Sequence, residues 1–193
     1  MALRYEVRIS GTGGQGVILA AIILAEAATL KGRGQKVVQT VHYGPQVRGG
    51  LSNAELVIGD EEIDYPLPMG LDLLIPFTQQ AMEESAHLMK QSGIIIHDSA
   101  LVPKAWEGWL ADIPLTQLAE STTGKRQMTN IVALGAVSAL CPHVDSKSMS
   151  AALKARAPEG TADTFLKAAS AGRKAAQRIK EHLYFEEIPS LED

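Results

Sequence analysis

Residues 5–31, with the sequence YEVRISGTGGQGVILAAIILAEAATLK, decide the fold. The first six positions alternate between polar and apolar side chains and include Val7 and Ile9, which predicts a β-strand. A glycine-rich turn follows at residues 11–16. Residues 17–31 are rich in Ala, Ile and Leu and contain neither glycine nor proline, which predicts a helix. A strand, a glycine turn and a helix in this order are typical of an α/β fold.

The rest of the chain continues this alternation. We therefore expect an α/β fold with a mainly parallel sheet and helices on both faces, in a Rossmann-like three-layer arrangement. Residues 1–183 are expected to form a single domain and the acidic residues 184–193 a loose tail. Strand patterns occupy residues 36–41, 52–58, 71–77, 94–97 and 113–115, and helix patterns occupy residues 79–90, 129–140, 148–157 and 161–182.

The composition argues against two classes of partner. The 193 residues carry 18 Lys and Arg against 22 Asp and Glu, a net charge of −4. A negative charge that is not clustered argues against generic nucleic-acid binding. The longest apolar stretch, residues 17–25, is shorter than the roughly 20 residues of a membrane span, and Glu6 stands where a signal peptide would begin its apolar run. We expect a cytoplasmic protein that binds neither nucleic acid nor a membrane.

Cys141 is the single cysteine of the chain. One cysteine cannot form an internal disulfide, complete a zinc cage or hold an iron–sulfur cluster alone. Any redox centre must therefore belong to a cofactor or to another chain. Because Cys141 follows an apolar helix pattern, we expect a buried free thiol.

The glycine turn matches the pattern G-x-G-x-x-G through Gly11, Gly13 and Gly16. Glycines permit a tight turn and a close approach of the backbone, and the first amides of the following helix attract anions. Three interpretations stay open: close packing of helix and strand alone, contact with a phosphate or carboxylate group, or binding of a nicotinamide dinucleotide. The third would require an acidic residue at the end of the second strand, but that strand ends at Val41 and His42.

A second glycine-rich loop, residues 42–50 (HYGPQVRGG), follows the second strand. Loops at the carboxyl edge of a parallel sheet gather together, so we expect this loop beside the first. Arg48, ahead of two glycines, is then a candidate for binding a carboxylate or phosphate, although a mobile surface arginine is an equally good interpretation. The candidate binding residues of the two loops are Gly11, Thr12, Gly13, Gly14, Gln15, Gly16, Tyr43, Arg48 and Gly49.

Taken together, residues 11–16 (GTGGQG) and residues 43–50 (YGPQVRGG) resemble the gamma subunit of the 2-oxoacid:ferredoxin oxidoreductases. Within that family the second loop is more similar to the 2-oxoglutarate-type branch than to the indolepyruvate branch. The resemblance covers residues 5–140 well and the C-terminal helices more loosely. Further features that agree with it are residues 63–66 (IDYP), the strand at 71–77, Asp98, Asn130 and Gly135.

The resemblance implies a reaction that this chain does not perform alone. The family oxidatively decarboxylates a 2-oxoacid to an acyl-coenzyme A, CO₂ and reduced ferredoxin, or runs the reverse reaction. Thiamine diphosphate, Mg²⁺ and [4Fe–4S] clusters are implied in partner alpha and beta subunits, with a delta subunit as an option. The gamma chain is then accessory to catalysis and carries no catalytic residue. Its two glycine loops either contact an anionic part of coenzyme A or pack against the partner subunits.

Two other function classes remain alternatives. A freestanding nicotinamide-dependent dehydrogenase would bind its cofactor as the isolated chain, and a non-catalytic nucleotide-binding or scaffold module would show no 2-oxoacid activity in any assembly. A hydrolase is a weaker interpretation, because His97 and Asp98 resemble half of a catalytic pair but no nucleophile motif accompanies them. We expect no metal site on this chain.

Overall fold

The computed structural model describes residues 3–32, 34–43, 50–104, 106–180 and 183–186. These residues form seven strands and six helices, with short 3₁₀ turns at Ala86–Leu88 and Arg126–Met128. The strands are β1 (Arg4–Thr12), β2 (Lys36–Tyr43), β3 (Leu51–Gly59), β4 (Leu71–Pro76), β5 (Met89–His97), β6 (Gly108–Asp112) and β7 (Tyr184–Glu186). The helices are α1 (Val17–Lys31), α2 (Gln79–Ser85), α3 (Leu115–Thr123), α4 (Thr129–Leu140), α5 (Ser146–Arg156) and α6 (Ala162–Ile179).

The strands form one sheet in the order β2-β3-β1-β4-β5-β6-β7. The pairs β1–β4, β4–β5 and β5–β6 are parallel, whereas β1–β3, β2–β3 and β6–β7 are antiparallel. Among the described strands, β1, β2, β4, β5 and β6 therefore run in one direction, and β3 and β7 run in the other. The prediction of an α/β fold with a mainly parallel sheet is confirmed, with an antiparallel β2–β3 hairpin added at one end.

Most predicted elements lie where the sequence places them, but the region after β4 differs. The helix pattern at residues 79–90 ends early, because β5 already begins at Met89. Gly93 is a strand residue rather than a helix breaker, and it lies where the pairing of β4 with β5 shifts register. The strand expected at residues 113–115 is wrong: the strand is β6, and helix α3 follows Pro114, a residue that helix starts tolerate well.

The expected loose tail also requires a correction. Tyr184–Glu186 form β7, which pairs antiparallel with Gly108, Trp109 and Leu110 of β6. Main-chain pairing with a sheet edge orders a chain end that its acidic composition alone would not. Residues 187–193 lie outside the described part of the chain.

One face of the sheet carries the main core. Helices α1, α3, α4, α5 and α6 bury their apolar residues there, against side chains such as Val7, Ile9, Leu56 and Ile75. The opposite face has a smaller apolar cluster in which α2 contributes Met82, packed against Leu74 of β4 and Ile95 of β5. Helices on both faces are therefore confirmed, with most of the mass on one side. Among the described helices, none has both the length and the apolar character needed to cross a membrane.

Polar groups are buried on the second face around Glu6. Its carboxylate accepts hydrogen bonds from the amides of Met69 (3.0 Å) and Gly70 (2.7 Å) and from the Arg4 guanidinium. The same guanidinium donates to the carbonyl oxygens of Tyr65 (3.1 Å) and Leu67 (2.9 Å). Residues 60–70, which have no regular secondary structure, are thereby tied to the start of β1.

Helices α4 and α6 touch at the level of their backbones. A Cβ atom at Gly135 would collide with the carbonyl oxygen of Ala169, and a Cβ atom at Gly172 would collide with the carbonyl oxygen of Val132. Both neighbours are main-chain atoms, so the collision could be relieved only by moving one helix. These two glycines therefore fix the distance between α4 and α6.

Replacing Gly172 by Ala should force the two helices apart. Because well-packed interiors yield poorly to added volume, we expect Gly172→Ala to lower the free energy of unfolding by about 3 kcal/mol or more. Urea denaturation measures this change. Lys174→Ala, at an exposed position of the same helix, should change stability by no more than about 0.5 kcal/mol. Equal stabilities of Gly172→Ala and Lys174→Ala would contradict the backbone contact.

Candidate functional site

The first glycine loop connects β1 to α1 at the carboxyl edge of the sheet. Strand β1 ends at Thr12, and α1 begins at Val17 after the N-cap residue Gly16. Gly16 has no side chain to cap the helix, so the first amides of α1 are not capped by it. A helix start of this kind carries a partial positive charge and favours anions.

Gln15 holds the loop in shape. Its side-chain carbonyl oxygen accepts hydrogen bonds from the backbone amide (2.7 Å) and hydroxyl (3.2 Å) of Thr12, and its amide nitrogen donates to the carbonyl oxygen of Phe77 (3.0 Å). Gln15 thereby joins the end of β1 to the end of β4. Gln15 and Thr12 were predicted as binding residues, and the contacts that the structure gives them hold the turn together and join it to Phe77.

Gly16 and Asn130 are in close contact. Gly16 has φ 71°, in the left-handed region, and a Cβ atom there would collide with the side-chain amide of Asn130. Asn130 is 5% exposed, and its side-chain amide donates to the carbonyl oxygen of Gly16 (3.3 Å). The start of α4 is therefore bound to the start of α1, and Gly16 is required by geometry.

Gly13 and Gly14 are open on the side where a Cβ atom would lie. A Cβ atom at either position would meet no atom within 4 Å, and Gly13 does not have a positive φ. Nothing in the described part of the chain thus requires glycine at position 13. The open backbone at this turn can be approached closely by a group from outside.

A cleft of about 220 Å³ opens beside this turn. Phe77 and Leu101 give it apolar walls, and Arg126 brings a guanidinium that is 62% exposed and lies 3.7 Å from the Glu120 carboxylate. Sequence reasoning missed Arg126, because it stands about 110 positions from the glycine motif in a short turn with no motif of its own. The lining residues are Gly14, Gln15, Phe77, Leu101, Arg126, Gln127 and Thr129.

The second glycine loop starts at the same edge of the sheet. Tyr43 at the end of β2 pairs with Ser52 of β3, and Ser52 also pairs with Gly11 of β1. The backbone of Tyr43 is therefore two strand spacings, roughly 10 Å, from Gly11. The expected neighbourhood arises from a β2–β3 hairpin rather than from successive parallel strands. Arg48 and Gly49 lie outside the described residues.

The His97–Asp98 pair and Cys141, both considered in the sequence analysis, have structural roles. The Nε2 atom of His97 contacts the carbonyl oxygen of Val102 at 2.8 Å and its Nδ1 atom contacts Asp112 at 3.1 Å, while Asp98 accepts hydrogen bonds from the amides of Ala100 (3.0 Å) and Thr116 (2.8 Å). These contacts connect the end of β5 to the segments that follow it, which is a structural role for both side chains.

Cys141 is a structural residue of the core. It is 3% exposed, and burial raises the pKa of its thiol, so the unreactive neutral form prevails near neutral pH. A buried free cysteine was expected and is confirmed.

The comparisons with known proteins agree with one another. Residues 6–175 match the family model described as pyruvate ferredoxin/flavodoxin oxidoreductase. The chain is 38% identical over 182 residues to the 2-oxoglutarate synthase subunit KorC of Methanocaldococcus jannaschii, covering 92% of this chain and 96% of that subunit. It is 39% identical over 180 residues to the subunit of the same name from Methanothermobacter thermautotrophicus, covering 89% of this chain and 95% of the relative.

Solved structures show the same fold. The gamma subunit of a keto/oxoacid ferredoxin oxidoreductase from Geobacter sulfurreducens superposes with a TM-score of 0.83 at 37% identity, covering 92% of this chain and 98% of that one. A 2-oxoglutarate:ferredoxin oxidoreductase chain from Magnetococcus marinus superposes with a TM-score of 0.78 at 21% identity, covering 91% of this chain and 31% of that one, a likeness that shows the fold alone.

Two glycines of the first loop should respond differently to substitution. Gly16→Ala should lower the free energy of unfolding by about 2 kcal/mol, because it combines a left-handed backbone with a collision at Asn130. Gly13→Ala should change stability by no more than about 0.5 kcal/mol. Urea denaturation of both variants measures the difference, and a Gly13→Ala protein as unstable as Gly16→Ala would show that the turn has no open side.

Proposed function

The chain belongs to the pyruvate ferredoxin/flavodoxin oxidoreductase family, and on that premise we propose that it serves a 2-oxoglutarate:ferredoxin oxidoreductase as a gamma subunit that helps to bind coenzyme A. The similarity to the KorC subunits and to the Geobacter gamma subunit confirms the resemblance seen in the sequence. The chain is a gamma-type subunit of an oxidoreductase in the 2-oxoglutarate branch. Relatives that it covers almost end to end carry the name 2-oxoglutarate synthase subunit, which supports 2-oxoglutarate as the substrate of the whole enzyme.

The proposed reaction is the oxidative decarboxylation of 2-oxoglutarate to an acyl-coenzyme A and CO₂ with reduction of ferredoxin, or its reverse. We assign thiamine diphosphate with Mg²⁺ and the [4Fe–4S] clusters to alpha and beta subunits. A single cysteine cannot supply the thiolates of such a cluster, which supports this assignment. Among the described residues, no three His, Cys, Asp or Glu side chains are grouped so that they could hold a metal ion.

The glycine cleft supports contact with coenzyme A. Coenzyme A carries several phosphate groups, and phosphates bind to exposed amides at helix starts and to guanidinium groups. Arg126 lines the cleft, as do Gly14 and Gln15 of the turn that leads into the uncapped start of α1, and the open backbone at Gly13 leaves room for close approach. The presence of Arg126 in the same cleft as Gly14 and Gln15, the turn that leads into the uncapped start of α1, is the observation that carries the proposal.

Other residues of this chain position the cleft. Gln15 fixes the turn against β4, and Asn130 fixes it against α4. Leu101, which is partly buried, offers apolar surface on which a flat ring can pack. We keep Tyr43, Arg48 and Gly49 as proposed contacts of the same ligand, since β2 ends at the same edge of the sheet. The competing role for both loops is packing against the partner subunits.

The nicotinamide alternative is not favoured. In a dinucleotide-binding fold the second strand lies beside the first and ends in an acidic residue that holds the ribose. Here β3 lies between β1 and β2, and β2 ends at Val41, His42 and Tyr43. The glycine turn is shared with that fold, but the ribose-binding position is missing.

Arg126→Ala should weaken the use of coenzyme A by the assembled enzyme. Loss of one charge-assisted contact to a phosphate should raise the apparent KM for coenzyme A by roughly tenfold, with kcat and the KM for 2-oxoglutarate within about twofold of the parent. Steady-state kinetics with a saturating ferredoxin or dye acceptor measure all three constants. Gly13→Ala should act in the same direction without loss of stability, and Arg48→Ala tests the second loop.

The control for these kinetics is Lys154→Ala. Lys154 is exposed on α5, and it lines a different groove. A KM for coenzyme A that is unchanged in Arg126→Ala, Gly13→Ala and Arg48→Ala alike would remove coenzyme A from this proposal. It would favour the competing role, in which both loops pack against partner subunits.

The subunit role has its own measurement. Native mass spectrometry of the tagged chain, isolated from its own cells, should show larger partners whose masses include thiamine diphosphate and iron–sulfur clusters. That complex should decarboxylate 2-oxoglutarate in the presence of coenzyme A and an electron acceptor. A chain that arrives without such partners would contradict the role as an oxidoreductase subunit, whatever the kinetic variants show.

A further inference from the structure

Strand β2 stands at one end of the sheet. All eight of its residues, Lys36–Tyr43, pair in unbroken antiparallel register with β3. Its other edge has no strand beside it within the described part of the chain. An edge of this kind presents a row of N–H and C=O groups that can pair with another strand.

The usual protections of an edge strand are missing from β2. Natural proteins blunt such edges with prolines, bulges, inward-pointing charges or very short strands. β2 has no proline and no register shift, and its only Lys, Arg, Asp or Glu is Lys36 at its first position. At the opposite end of the sheet, the part of β7 that the structure describes spans three residues, Tyr184–Glu186.

Both faces of β2 are fixed by the rest of the fold. Val37 and Val41 pack against the core beneath the helices. On the other face, the Thr40 hydroxyl donates to the Glu55 carboxylate (3.2 Å), and His42 lies 3.4 Å from the same group. These contacts hold the strand in place from both faces, so pairing at its free edge would require little rearrangement.

A groove of about 440 Å³ borders this edge. Thr29 of α1 lines it, together with Glu62 and Ile63 of the segment after β3. The groove also includes Gln35 and the first three residues of β2, numbers 36–38. An added strand would lie in this groove.

We propose that β2 pairs with β2 of a second copy of this chain, antiparallel and about a two-fold axis through Gln39. An axis perpendicular to the sheet keeps each face on its own side, so residues opposite each other must have numbers of the same parity. With Gln39 opposite Gln39, Val37 faces Val41 and Val38 faces Thr40. These β-branched pairs are favourable across antiparallel strands, and Lys36 meets His42 rather than another lysine.

The axis through Gln39 suits the strand better than an axis through Thr40. The latter would place Val38 opposite His42, which is 52% exposed and in contact with Glu55. It would also leave Val37 opposite Tyr43 and place Lys36 beyond the end of the partner strand. Of these two registers, the one centred on Gln39 gives the better self-complementarity. This inference goes beyond the proposed function and does not depend on it.

Disulfide trapping tests the register. Gln39→Cys in the full chain should form a covalent dimer under mild oxidation, because opposite Cα atoms in antiparallel strands lie within disulfide reach. Ala151→Cys, at an exposed position of α5, is the matched control and should form far less dimer. Cys141 is buried and common to both proteins. A Gln39→Cys chain that couples no faster than Ala151→Cys, or that couples to another subunit in the isolated complex, would overturn the proposal.

A charge exchange tests the same contact without oxidation. Gln39→Lys and Gln39→Glu should each weaken self-association roughly fivefold or more, because like charges then face each other, and a mixture of the two should associate at least as well as the parent. Analytical ultracentrifugation measures these constants. A parent chain that stays monomeric at about 100 µM, or a mixture no tighter than either variant alone, would count against the β2 pairing; loss of coenzyme A kinetics or of partner subunits would not bear on it.

Discussion

The contact between Gly16 and Asn130 connects the candidate site to the framework of the fold. Gly16 can begin α1 only in a left-handed conformation, and this conformation brings its carbonyl oxygen to the side-chain amide of Asn130. Asn130 belongs to α4, and α4 is pressed against α6 through Gly135 and Gly172. The position of the anion-attracting helix start is therefore determined by the packing of the C-terminal helices.

The conformation of the first glycine loop depends on contacts with distant parts of the chain. Gln15 restrains the turn from the side of β4, and Asn130 restrains it from the side of α4. Arg126, the one cation among the described residues that line the cleft, comes from the segment just before α4. Donors that are positioned before a ligand arrives bind it without the cost of ordering themselves.

Much of the fold could be predicted from local patterns. The first helix and α4 have the bounds that their apolar runs indicate, because glycines flank the first helix and Pro142 follows shortly after the second. The end of α2 and the start of β5, between residues 86 and 93, could not be predicted correctly, because the strand pairing of Met89 and the register shift near Gly93 are tertiary effects that local propensity does not contain. The glycine turn could be found by its motif, whereas Arg126 could not, since its place in the cleft results from the packing of α4 against the start of α1.

Residues 60–70 have a consequence for the energetics of assembly. Arg4 and Glu6 hold this irregular segment by its backbone, while Tyr65 and Met69 remain 51% and 68% exposed. An apolar side chain carried on an already ordered backbone loses only its rotamer freedom when it is covered. A neighbouring surface that covers Tyr65 and Met69 would therefore gain nearly the full hydrophobic free energy of their burial. A segment that folds only on binding would gain less, because it must also pay the entropy of ordering its backbone.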